Sequence, residues 1–143
     1  MKIKTRDFGE IDICESEIVT FCQPIFGFED SLRYVFLHDD EISDRFVWMQ
    51  SIDEEAVRFI LVDPAAVSDN YRPRLSKEVM EMLGEEEYMC WLITVIPEDF
   101  RNATVNLKSP VVVNPSRMAA AQVILDEDLP IRFPLFHDGK EEA

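Results

Sequence analysis

Histidines and cysteines, the side chains that most often ligate zinc or act as base and nucleophile, are few and scattered in this chain. The two histidines, His38 and His137, lie about a hundred residues apart, so no local ligand pair forms around either. The run Asp39-Asp40-Glu41 shares only its acidity with a calcium loop, lacking the ligand spacing and the glycine of an EF-hand. Cys14, Cys22 and Cys90 are odd in number and show no CxxC spacing. No G-x-S-x-G elbow is present, and four glycines in the whole chain leave no phosphate-cradling loop of P-loop or Rossmann type. Carboxylates are plentiful, but abundance alone assigns no acid/base pair. Asn102-Ala103-Thr104 matches a glycosylation sequon, a pattern that arises freely by chance. The expectation is a protein that is not an enzyme, with no catalytic, metal or cofactor-binding residues.

Contact chemistry is better represented. Ile25-Phe26-Gly27-Phe28-Glu29-Asp30 sets two phenylalanines around a glycine, directly before two carboxylates. Phe26, Phe28, Glu29 and Asp30 are therefore candidate partner contacts, an apolar anchor with an acidic rim that suits an amphipathic basic segment. The same residues also fit a turn whose aromatics plug the core. A second candidate is the polar loop after Asp63-Pro64 that ends at Asp69, Asn70 and Tyr71, since a tyrosine brings an apolar ring and a polar tip together. Asn106 and Asn114 flank the turn Lys108-Ser109-Pro110, where their side-chain amides can bond the turn's backbone.

Strands must position these residues. Ile3, Ile11, Ile13, Ile18 and Phe21 mark two or three short alternating strands with Gly9 at a hairpin turn. Apolar runs follow at 34–37, 46–49, 57–62, 88–96, 104–107, 110–114 and 118–125. The run 57–62 stops at Asp63-Pro64, which favours strand over helix. The longest run, Tyr88 to Ile96, is aromatic and β-branched with almost no polar residue, the pattern of a strand covered on both faces. One stretch changes period: Leu75, Val79, Met82 and Leu83 follow helical spacing, with Ser76 placed to cap and Gly84 to terminate. The spacing predicts a short α-helix over about 76–83, packed across a barrel mouth. The fold expected is mostly β: a small β-barrel-like single domain of about nine or ten short strands spanning 1–136, with a frayed acidic tail over 137–143.

Composition agrees. At 143 residues with 47% apolar side chains, the chain can bury about 68–70% of its unfolded surface. Acidic side chains outnumber basic ones 29 to 14, a net charge of −15. Such a field repels phosphate backbones, which argues against direct nucleic-acid binding, and it steers basic proteins toward the surface. Cys14 and Cys90 fall in apolar runs, where free cysteine acts as a small hydrophobe, and a disulfide framework is not expected. The N-terminal residues lack an apolar leader core and no long apolar span follows, so the expected location is cytoplasmic, without membrane contact.

Several segments in order carry a resemblance: Ile25 to Glu29, Trp48-Met49-Gln50-Ser51, Phe59 to Pro64, Tyr71, Thr104-Val105-Asn106-Leu107 with Pro110 to Asn114, and Gln122 to Leu125. From about Phe8 to Phe133 the chain resembles the FliW family of flagellar assembly factors. It departs at Pro24, where the family commonly has glycine, and at Met49, where leucine is common. Pro24 stiffens the early turn and removes a backbone donor. Met for Leu is close to volume-conserving. The resemblance implies a β-barrel-like fold and two protein partners. One is CsrA, a basic RNA-binding dimer and translational regulator; the other is flagellin. It further implies that the protein inhibits CsrA allosterically, relieving repression of flagellin mRNA, and is itself sequestered by flagellin. Two alternatives from other classes are an acidic ligand-binding barrel or small hydrolase unrelated to flagella, and a flagellin chaperone without a CsrA role.

Overall fold

The computed structural model describes residues 1–39, 45–85 and 87–136. Asp40 and Glu41 of the acidic run, His137 and the tail 137–143 lie outside the described residues. Eleven strands are found among them: β1 (Lys2–Thr5), β2 (Gly9–Asp12), β3 (Val19–Gln23), β4 (Arg33–Leu37), β5 (Phe46–Ser51), β6 (Arg58–Val62), β7 (Met89–Val95), β8 (Thr104–Val105), β9 (Val111–Asn114), β10 (Ala119–Gln122) and β11 (Phe133–Pro134). The α-helix, α1 (Lys77–Leu83), falls where the sequence places it. The strand beyond the expected number is β11, a two-residue pairing with β8 that carries no periodicity of its own.

Strands β7-β6-β5-β4-β3-β10-β9 run side by side, and β9 pairs back onto β7 to close a seven-stranded barrel. All pairings in it are antiparallel except β3 with β10, which are parallel and shift register between Ala120 and Ala121. Closure leaves no free edge within the ring. Strand alternation then sorts the side chains. Phe21, Tyr34, Val47, Met49, Leu61, Trp91, Val111, Val113 and Ala120 pack inside. Phe21 and Tyr34 meet edge-to-face at 5.0 Å between ring centroids. Met49 is fully buried among the side chains that fill the barrel.

Outward-facing residues are covered in three places, so the barrel wall is apolar on both sides. Ile3 and Ile13 from the β1–β2 region pack on Val35. Leu107, Phe133 and Leu135 cover Val62 and Leu92. Helix α1 lays Val79 and Leu83 on Val112 and Ala121, the outer faces of β9 and β10. The helix thus lies along the wall rather than across a mouth as expected. The physical reason is local: Ala119 and Ala121 are small enough to let a helix approach the wall closely. Strand β7 is covered on both faces only in its middle, with Trp91 inside and Leu92 outside, while Met89, Val95 and Ile96 at the ends of the run are exposed where no layer packs on them.

Hydrogen bonds fix the helix there. The Ser76 hydroxyl accepts from the Val79 N–H at 3.2 Å, and Gly84 donates to the Met80 carbonyl at 2.8 Å with φ +95°, a conformation glycine tolerates. The buried Asn114 Nδ2 donates to the Leu83 carbonyl at 2.7 Å, and its Oδ1 accepts from Ser116 N–H at 3.0 Å. Asn114 therefore ties the helix end to β9 and orders the following turn, not the Lys108 turn expected for it.

Replacing Met49 with alanine should lower stability by about 2–5 kcal/mol in urea unfolding, because it empties the packed barrel interior. The Asn114→Ala change should cost about 1–3 kcal/mol by leaving the Leu83 carbonyl without its partner. An Asn114→Ala protein as stable as wild type would remove the helix tether from this account.

Candidate interaction surface

One end of the barrel is where β3, β5 and β10 finish and β4 and β6 begin. Here β7 leaves its partner β9 after Trp91↔Val111 and pairs instead with β8 at Thr94 and Val95. The divergence opens a cleft of ≈ 400 Å³ lined by Ile25, Phe26, Phe28, Phe59, Ile93, Asn106, Ser109, Gln122 and Ile124. Ile25 is buried, while Phe26 is 86% exposed and Ile124 65% exposed. Phe28 packs edge-to-face on Phe59 at 5.0 Å, so it anchors the turn that presents Phe26.

The turn is held from several sides. Phe28 N–H donates to the Ile25 carbonyl at 2.8 Å, and Gly27 at φ +92° makes the reversal that a side chain would strain. Gly27 N–H donates to Glu29 Oε2 at 2.8 Å. Gln122 Oε1 accepts from Phe26 N–H at 3.2 Å, linking the turn to β10. Asn106 Oδ1 accepts from the N–H groups of Lys108 and Ser109, both at 3.0 Å, which is the turn-fixing role expected of it.

A second loop joins this end that the sequence reading did not assign to it. The β5–β6 turn carries Asp53, Glu54 and Glu55, all exposed. Arg33 binds Asp53 through both Nε at 3.2 Å and Nη2 at 2.7 Å, and the Ser31 hydroxyl donates to Glu54. Ser51 Oγ accepts from the N–H groups of Asp53 and Glu54 at 3.1 and 3.0 Å. The acidic turn is therefore fastened to the segment that follows Phe28-Glu29-Asp30. Asp-Glu-Glu between two apolar runs was visible in the sequence; the pairing of β4 with β5 that brings it here was not.

Tyr71, with Asn70, lines a different cleft of ≈ 350 Å³ beside Leu107, Leu129 and Phe133. Its hydroxyl donates to the Leu107 carbonyl at 2.7 Å, and its ring packs against both the helix cluster and the β8 cluster. Burial pushes the Tyr71 hydroxyl above its ordinary pKa. Asp69 is exposed on the same loop. Phe26 and Phe28 thus line one cleft and Asn70 and Tyr71 another, with no residue in common, while Glu29, Asp30 and Asp69 line neither; the turn 106–109 contributes to both clefts. A third, wholly apolar groove of ≈ 180 Å³ lies on the outer face of β5 and β6 around Trp48, Ile60, Phe100 and Phe136. The sequence reading passed over it because Phe100 and Phe136 sit outside the long apolar runs.

Arg33 holds the Asp53 carboxyl below the usual carboxylate range, and Arg101 does the same to Asp99. Among the described residues no group of three or more His, Cys, Asp or Glu is placed to hold a metal ion. Burial pushes the Cys90 thiol up to about 12. Cys14, expected in an apolar strand, is exposed at the start of the 3₁₀ turn Glu15–Glu17. No helix among the described residues is long and apolar enough to cross a membrane.

These features define a class: a small closed β-barrel with apolar clefts and acidic loops on its surface. The model of the family described as FliW protein matches residues 2–135. Flagellar assembly factor FliW of Lachnoclostridium phytofermentans is 35% identical, covering 100% of this chain and 96% of that protein. The factor of the same name from Ruminiclostridium cellulolyticum is 37% identical over 90% of this chain and 88% of its own length. A crystal structure of the flagellar assembly factor FliW superposes with a TM-score of 0.89 at 30% identity, covering 96% of this chain and 99% of that one. The chain belongs to the FliW family of flagellar assembly factors.

Two outcomes follow from the site's chemistry. With a thiol reagent at pH 8, Cys14 and Cys22, both exposed, should react at once, and Cys90, partly buried with its thiol pKa raised, far more slowly until the protein unfolds. The Asp53 carboxyl, depressed in the folded state, contributes stability above the ordinary Asp pKa of about 3.9 that is lost as pH falls through the folded value. Arg33→Gln should thus cost up to about 1 kcal/mol at pH 7, a value limited by exposure of the pair, and progressively nothing in acid. A cost independent of pH would separate it from the ion pair.

Proposed function

We propose that this protein is a non-enzymatic flagellar assembly factor that binds CsrA, inhibits it allosterically and so relieves repression of flagellin mRNA, and that flagellin in turn sequesters it. The observation that carries the reading is exposed aromatic surface beside carboxylates on one barrel end, in a chain of net charge −15. A basic RNA-binding dimer is drawn to such a field, while RNA phosphates approaching the complex are repelled. Membership of the FliW family along nearly the whole chain supports the flagellar setting. Phe26, Phe28, Glu29 and Asp30 form one proposed contact group, and Asp69, Asn70 and Tyr71 the other. Because Phe26 and Phe28 line one cleft and Asn70 and Tyr71 another, on either side of the turn 106–109, two partners can exclude each other through that shared wall without filling the same cleft. The cytoplasm is the proposed location.

Titration calorimetry against purified CsrA at two salt concentrations, with and without flagellin, tests the reading. Binding that weakens with salt and disappears with flagellin is the expected result. Binding indifferent to salt would keep the partner and remove the electrostatic account. Flagellin binding without CsrA binding would leave a flagellin chaperone.

A further inference from the structure

We propose that the barrel mouth at the Phe26 turn docks a basic amphipathic segment of a partner protein, with the β5–β6 turn supplying half of the acidic rim. The inference rests on the protein-binding reading above and adds the chemistry of the bound segment and a second loop. Phe26 and Ile124 stand almost bare at the edge of a cleft whose floor includes Ile25, Phe59 and Ile93. A cleft of ≈ 400 Å³ is large enough for apolar side chains projecting from one face of a segment.

Charge decides what carries those side chains. Of the arginines at this end, Arg33 is committed to Asp53 and Arg58 to Asp7, so the exposed Arg6 beside Asp7 is one cation set against the four carboxylates of the two loops. Glu29 and Asp30 on one loop, and Glu54 and Glu55 on the other, have no basic partner among the described ion pairs. A second copy of this chain would bring the same four carboxylates against the first. A nucleic acid or an anionic membrane would meet the same repulsion. A segment with basic residues flanking an apolar face satisfies both the rim and the cleft. The rim remains wet, so its charges favour encounter and register, and the cleft supplies the residence time.

The test uses the full chain, labelled with ¹⁵N, and two synthetic amphipathic peptides of equal length, one leucine–lysine and one leucine–glutamate. The lysine peptide should shift the amides of Phe26, Gly27, Phe28, Asn106 and Ile124, and the glutamate peptide should not. Phe26→Ala removes an exposed ring and no core contact, and should weaken the lysine peptide about tenfold or more. The pair Asp30→Lys with Glu55→Lys should weaken it similarly, most at low salt. Phe100→Ala, in the separate apolar groove, should leave it unchanged. Shifts centred on Phe100 and Phe136, equal binding of the glutamate peptide, or no shifts at all would overturn the proposal. So would CsrA and flagellin binding at wild-type strength to Phe26→Ala, which leaves the functional reading intact. Peptide binding at the mouth with neither CsrA nor flagellin bound would support the docking surface and remove only the named partners.

Discussion

Strand β7 carries the constraint on which this structure depends. One of its edges is shared: β9 takes Met89 to Trp91 and β8 takes Thr94 and Val95. The first pairing closes the barrel, and closure removes the free edges that an open sheet of these seven strands would expose. The second pairing draws the strand's end away from β9. A strand that serves two neighbours on one edge must leave a gap where it changes partner. The gap is the cleft at the Phe26 turn, with Ile93 on the diverging strand and Asn106 N–H donating to the Ile93 carbonyl at 3.0 Å. The barrel's closure and its accessible mouth are therefore one event in the backbone.

The same branching explains why so small a protein is apolar on both sides of its wall. A barrel filled by Phe21, Tyr34, Met49 and Trp91 still has outward positions, and Val35, Leu92 and Val112 occupy them with apolar residues. Each must be covered by something outside the ring, and the chain supplies a hairpin, the β8–β11 flap and a helix. Lys108 illustrates how tightly these layers are tied. Its ammonium donates to the carbonyls of Leu125 and Glu127, both at 2.9 Å, pinning the chain beyond β10 to the turn that walls the cleft.

Much of this was legible in the sequence, and the parts that were not share a cause. Alternation located the N-terminal strands and apolar runs located β4 to β7, because β4 to β7 each bury apolar side chains over several successive residues. Ser76, the i, i+4, i+7, i+8 apolar set and Gly84 located the helix for the same reason: the signal is local. Placement is not local. Ala119 and Ala121 read as weak strand residues, and only their partner across space shows them to be the seat of α1. Asn114 lies near the Lys108 turn in sequence but points to the helix end, because strand parity turns it outward. Strand β11 has two residues and no pattern. The contact candidates divide similarly. Phe-Gly-Phe before two carboxylates marked an aromatic turn but left open whether its rings face the core or solvent, and Phe28 packs on Phe59 while Phe26 is exposed; the union of that turn with Asp53 to Glu55 depends on the β4–β5 register.

A net charge of −15 invites an account in which electrostatics alone selects the proposed partner, and the distances argue otherwise. At physiological salt the field of exposed carboxylates fades over about 8 Å, so total charge mainly governs how often a basic protein arrives. Whether it stays depends on surface that leaves water at contact. Phe26, held out from the barrel by the Gly27 reversal and kept in place by Gln122, is unfavourable in solution and gains only when covered. A turn with Phe28 packed on Phe59 and Glu29 closed on Gly27 has little freedom to fold that ring inward. Rigid presentation of one apolar side chain keeps the ordering cost of binding low, so modest contact area can hold a partner that charge has delivered.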